Sequence, residues 1–165
     1  MEADMAKIAI LMGSASYYEV VKKCEDMLDY FAVAYETKVL SAHRTPLEAC
    51  EFALRADEDG FDVIIAAAGK AAHLAGVIAA NTPLPVIGIP IKTSLAGGLD
   101  SLFSVVQMPK GVPVATVAVD GAENAAILAV QMLSLRDARL REALKEYKEK
   151  MHDEVLESDK NLLRG

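Results

Sequence analysis

Four short, near-continuous apolar runs limit the fold more than anything else in the chain. They are "KIAILM" (7–12), "DVIIAAAG" (62–69), "LPVIGIP" (84–90) and "VPVATVAV" (112–119). Runs of this length with apolar residues at every position are strands covered on both faces, as in parallel sheets. A fifth segment, "AYETKVL" (34–40), alternates polar and apolar residues and reads as a more exposed strand. Helical patterns fill the intervals. In "YYEVVKKCEDMLDYF" (17–31), Val20, Val21, Cys24, Met27, Leu28 and Phe31 recur at three- and four-residue spacings. "TPLEACEFALRADEDG" (45–60) reads as a helix with Thr45 as N-cap, Pro46 in the first turn and Gly60 as the stop.

The small-residue stretch at 70–81, "GLDSLFSVVQM" (98–108), the almost wholly apolar 121–135 and the long charged 136–160 complete the helices. Strand–helix alternation with short connections predicts one α/β domain spanning 1–165. A central parallel sheet lies between two helical layers, in a flavodoxin-like order with an extended C-terminal helix. A chain of 165 residues can bury a proper core, roughly 70% of its unfolded surface. A hydrophobic share of 53%, mostly small aliphatics and with no tryptophan, suits closely packed helices and parallel strands.

Charge and cysteine content exclude several functions. A net charge of −7 argues against nucleic acid, whose binders present a basic face. A single anionic ligand remains compatible with it. Cys24 and Cys50 are too few for a disulfide framework, match no metal spacing and read as buried thiols. "MEADMAKIAI" has no apolar core behind a basic start, so no signal peptide is expected. No run approaches the ~20 uncharged residues of a membrane span. The expected location is the cytoplasm, with no membrane partner.

In open α/β sheets ligands bind beyond the carboxyl ends of the strands. Those positions hold Gly13-Ser14-Ala15-Ser16, Ser41-Ala42-His43-Arg44, Gly69-Lys70-Ala71-Ala72-His73, and Lys92-Thr93-Ser94 with Gly97 and Gly98. Each group also has a plain structural reading. "GSAS" suits a phosphate at a helix start, and equally a tight turn with its cap. His43 beside Arg44 points to proton transfer next to an anion; alone it could be a loop histidine bonded to backbone. His73, among small apolar residues, reads nearly as well as a satisfied core histidine. His152 reads as a solvated residue of the charged helix. Scattered histidines without spaced acids predict no metal centre. The triphosphate P-loop and the GxSxG elbow are both absent.

Five stretches in order, "MGSAS", "SAHRTP", "AGKAAHLAG", "DSLFSVVQMPKGVPVATVAV" and "NAAILAVQMLS", make the chain resemble the N5-carboxyaminoimidazole ribonucleotide mutase family, PurE. The resemblance runs from residue 7 to about residue 157. It implies a flavodoxin-like homo-octamer whose C-terminal helix reaches across neighbours. It also implies a carboxylate moved between the exocyclic nitrogen and ring carbon C4 of aminoimidazole ribonucleotide. No metal, ATP or organic cofactor is implied. His43 falls on the family's catalytic histidine. Ser14, Ser16 and Arg44 fall on its phosphate and ribose contacts, and the next position, Tyr17, also touches the nucleotide. His73 falls beside the carboxylate and base. Gly13, Ser41, Ala42, Gly69, Lys70, Ala71 and Leu74 complete the expected substrate-binding set.

Four positions depart from the family pattern. Tyr17 replaces an aspartate, Ala67 and Lys70 replace glycines, and Ala75 replaces a proline. Of these, Tyr17 and Lys70 predict weakened aminoimidazole ribonucleotide binding, with Lys70 able to pair with a carboxylate or phosphate or to fill the pocket. Two readings stay open on the sequence. One is the mutase. The other is a diverged paralog, either a carboxylase or decarboxylase on another small substrate or a non-catalytic nucleotide-binding oligomer.

Overall fold

The computed structural model describes residues 6–162; the first half of the N-terminal stretch read as lacking a leader, residues 1–5, lies outside that range. Five strands form a single parallel sheet in the order β2-β1-β3-β4-β5. They are β1 (Lys7–Met12), β2 (Ala34–Val39), β3 (Val63–Gly69), β4 (Val86–Ile91) and β5 (Ala115–Thr116). Six helices alternate with them: α1 (Tyr18–Tyr30), α2 (Pro46–Arg55), α3 (Leu74–Ala80), α4 (Leu99–Val106), α5 (Ala122–Leu133) and α6 (Ala138–Leu162). This is the α/β, flavodoxin-like arrangement that the sequence pattern predicts.

The apolar runs of β1, β3 and β4 are buried because the sheet is covered twice there, whereas the 112–119 run, expected to be covered on both faces, stays half-buried at the edge. Successive side chains point to opposite faces. Ile8, Ile10 and Met12 of β1 therefore join Val21, Leu28, Ala125 and Leu140 from α1, α5 and α6. Ala9 and Leu11 join Ala49, Ala53, Leu74 and Ile78 from α2 and α3 on the other side. The second face is rich in alanine, which lets its helices lie close to the strands. Gly88 shows how close: a Cβ there would stand 2.3 Å from Cγ1 of Val105 on α4.

Several boundaries differ from the sequence pattern, each for a local reason. The 17–31 helix begins at Tyr18, after a 3-10 turn over Ala15–Tyr17. The 45–60 helix ends at Arg55, and Gly60 closes the following turns with a φ of +80°. Thr45 gives no side-chain cap. Its hydroxyl donates to the Ser41 carbonyl at 3.1 Å and accepts from the Ser41 amide at 2.9 Å, so it ties down the loop before the helix. The 70–81 helix starts only at Leu74, because Lys70 has a left-handed φ of +57°.

The 112–119 run shrinks to a two-residue edge strand. Pro113 has no amide to give, and beyond Thr116 only isolated bonds continue, from Val117 to Gly88 and from Asp120 to Pro90. Helix α5 is mostly covered by α1 and α6 of its own chain, so its apolar character is internal.

Candidate active site

The strand order places β1 between β2 and β3, so the chain leaves β1 toward one side and returns on the other. The crevice beyond such a reversal is the ligand position of this architecture. The amide of Gly13 donates to the Ala67 carbonyl and that of Leu40 to the Met12 carbonyl, both at 3.0 Å, which brings the three strand ends level. A cavity of about 240 Å³ opens there.

Three loops build it. From β1 come Gly13 and Tyr17; from the β2 loop Ser41, Ala42, His43 and Arg44; from the end of β3 Ala68, Gly69, Ala71, His73 and Leu74. Arg44 donates from Nη2 to the Gly13 carbonyl at 2.8 Å, and its backbone amide donates to Ser41 Oγ at 3.2 Å. The guanidinium is thus pinned to the β1 turn with further N–H groups left for an anion. His43 Nε2 lies 2.9 Å from His73 Nδ1, with the rings 79° apart in plane. One nitrogen donates and the other accepts, so a single proton sits between the two rings. Both histidines are exposed at the cavity, which excludes the core reading of His73.

Ten of the expected site residues line this cavity, and Ala68 joins them. Ala68 is read from sequence only as part of a buried strand, and nothing marks it as the last strand residue facing the ligand side. Ser14, Ser16 and Lys70 do not line it. The two serines instead face each other, Oγ to Oγ at 2.9 Å, while Ser14 Oγ also accepts from the Ser16 amide at 3.3 Å. Lys70 is exposed and does not fill the pocket.

Ala67 and Ala75 are core residues, at 0% and 1% exposure, so two of the four departures concern packing. The loop after β4 also stays outside. Lys92 gives its amide to Asp120 at 2.8 Å, and Thr93 gives its hydroxyl to Asp100 at 2.5 Å. His152 is exposed on α6 beside Asp153. Burial pushes the Cys24 thiol up to about 12, and Cys50 is half-buried on α2; neither reaches the cavity.

Together, fold and cavity define a flavodoxin-like protein whose crevice presents an arginine and a hydrogen-bonded histidine pair. The chain belongs to the AIR carboxylase family, whose model matches residues 7–154. It is 52% identical over 158 residues to the N5-carboxyaminoimidazole ribonucleotide mutase of Thermotoga maritima, covering 96% of this chain and 92% of that protein. It is 45% identical over 155 residues to the Escherichia coli K12 protein of the same name, covering 93% and 92%. A crystal structure of PurE from Treponema denticola superposes with a TM-score of 0.86 at 28% identity, covering 95% of this chain and 98% of that one.

Proposed function

We propose that this chain is an N5-carboxyaminoimidazole ribonucleotide mutase of de novo purine biosynthesis, converting that nucleotide to 4-carboxy-5-aminoimidazole ribonucleotide. The name shared by relatives at this identity and coverage supports the reaction. One observation carries the assignment of residues: the His43–His73 hydrogen bond at the mouth of the cavity, next to Arg44.

The chemistry needs one group that gives and then takes a proton. When His43 protonates the exocyclic nitrogen, the N–C bond to the carboxylate breaks, its electrons stay on nitrogen, and CO2 is released in place. Ring carbon C4, made electron-rich by the amino group, attacks that CO2 and forms the new C–C bond. The C4 proton then returns to His43, so the reaction leaves no net change in the enzyme. Histidine suits this two-way task near neutral pH. His73 orients the His43 ring through their shared proton and stands beside the base and carboxylate. Arg44 holds the phosphate, and Ser14 and Ser16, whose hydroxyls bond to each other outside the cavity lining in this structure, reach phosphate and ribose by exchanging that bond for one to the ligand.

The working molecule is a homo-octamer in the cytoplasm. Supporting that assembly are apolar side chains left uncovered on α4 and α6, among them Phe103 and Val155.

A direct assay for interconversion of the two carboxylated nucleotides tests the reading. His43→Asn keeps size and some hydrogen bonding but cannot shuttle protons, and turnover falls at least ~100-fold with unchanged thermal unfolding. Turnover at the wild-type rate in that variant removes His43 from the mechanism.

A further inference from the structure

Tyr17 brings the only phenol into the cavity lining. Its hydroxyl lies 3.1 Å, and its Cζ 3.4 Å, from where a Cβ on Gly69 would stand. Gly69 has no positive φ, so the backbone there does not call for glycine. The phenol lies in the space beside Gly69, and its ring forms part of the wall of the cavity.

Two further observations give the hydroxyl a task. Tyr18 donates to Glu25 at 3.1 Å and Tyr35 to Asp29 at 3.3 Å, but Tyr17 makes no side-chain hydrogen bond among the described residues. The lining also contains no carboxylate, in a chain with 24 of them. An aspartate at this position can only accept hydrogen bonds from a ligand, and it repels anions. A phenol is a neutral donor.

We infer that Tyr17 is a specificity-determining residue: its hydroxyl donates to an anionic oxygen of the bound nucleotide. Its neutrality also keeps that end of the cavity free of negative charge. This rests on the nucleotide-site reading above. The anionic oxygen belongs either to the phosphate or to the migrating carboxylate. Either way the phenol strengthens nucleotide binding, the reverse of the weakening that loss of the aspartate predicts; a contact to the carboxylate also makes the cavity prefer the carboxylated nucleotide.

Calorimetry tests this with three probes: ribose 5-phosphate, aminoimidazole ribonucleotide and 4-carboxy-5-aminoimidazole ribonucleotide. Tyr17→Phe keeps the ring and the wild-type melting temperature, and affinity falls about tenfold or more, as for loss of a hydrogen bond to a charged group. Tyr17→Asp binds more weakly still. A loss common to all three probes assigns the contact to the phosphate; a loss confined to the carboxylated nucleotide assigns it to the carboxylate. Unchanged binding in Tyr17→Phe, or tighter binding in Tyr17→Asp, overturns the inference and leaves the proposed reaction intact. Wild-type binding of ribose 5-phosphate alone overturns the proposed reaction, and the effect of Tyr17→Phe on that probe still decides the role of Tyr17. A wild-type protein that binds none of the three overturns both.

Discussion

Lys70 shows a residue whose backbone matters more than its side chain. Its φ of +57° places a long side chain in the left-handed region, which costs a non-glycine residue about 1–2 kcal/mol. The loop holds it there: the Lys70 carbonyl accepts from the Ala72 amide at 2.8 Å and from Ser104 Oγ at 3.4 Å. The glycine expected here from the resemblance thus suits the backbone of the turn, which lysine adopts under strain. Lys70→Gly relieves the strain, offset by about 0.5–1 kcal/mol of added freedom in the unfolded chain. The expected net gain is up to about 1 kcal/mol, or a rise of about 2–4 °C in melting temperature. Since the lysine does not line the cavity, nucleotide affinity should stay unchanged. A lower melting temperature in a thermal scan would show that the lysine contributes contacts outweighing the strain.

Among the elements, β2 carries the most exposed edge of the sheet and is guarded by charge. Glu36 pairs with Lys38 at 2.8 Å and Lys7 at 2.9 Å. The two ammonium groups also lie over aromatic rings, Lys38 over Phe52 and Lys7 over Phe61. Charges of this kind discourage edge-to-edge pairing with other chains. Hydrogen bonds from Lys38 and then Lys7 hold the Glu36 carboxyl below its usual range. A depressed folded pKa stabilises the protein above the unfolded value, and that contribution is lost as pH falls through the folded value. The side chain is 39% exposed, so solvent screening keeps the effect to about 0.2–1 kcal/mol. Urea titrations of Glu36→Gln should show this deficit at pH 7 and none at pH 2. An equal deficit at both would mean that the residue acts through packing.

For the whole molecule, the proposed oligomer places other copies against the uncovered apolar surface. The first half of α6 packs inward through Leu140 and Leu144, and Tyr147 meets the rings of Tyr30 and Phe31 at 5.5 Å. Beyond it the helix carries Met151 and, about one turn further on, Val155 and Leu156 into solvent. Helix α4 shows a similar face with Leu99, Phe103 and Val106. Light scattering should give a mass several times 17.7 kDa, and deleting residues 151–165 should lower it. A stable full-length monomer at micromolar concentration would remove the oligomer from the proposal.

The sequence by itself determined the class of fold and three of its four strand-end loops as site material. Apolar runs at 7–12, 62–69 and 84–90 have no alternative to double coverage, and the histidines, Arg44 and the glycines follow strands directly. Periodicity also carried the helices, because amphipathic spacing is a local property. Tertiary structure decided what depends on distance and not on spacing. The link between His43 and His73 joins residues 30 positions apart. The space that Gly69 leaves for Tyr17 is set by where two loops meet. Lys70 is turned outward by its backbone, and the loop at 92–98 stays off the cavity because Asp100 and Asp120 hold it elsewhere. The 121–135 helix is almost wholly apolar in sequence and is covered within its own chain in the fold, since hydrophobicity records only that a surface is covered, while packing decides by what.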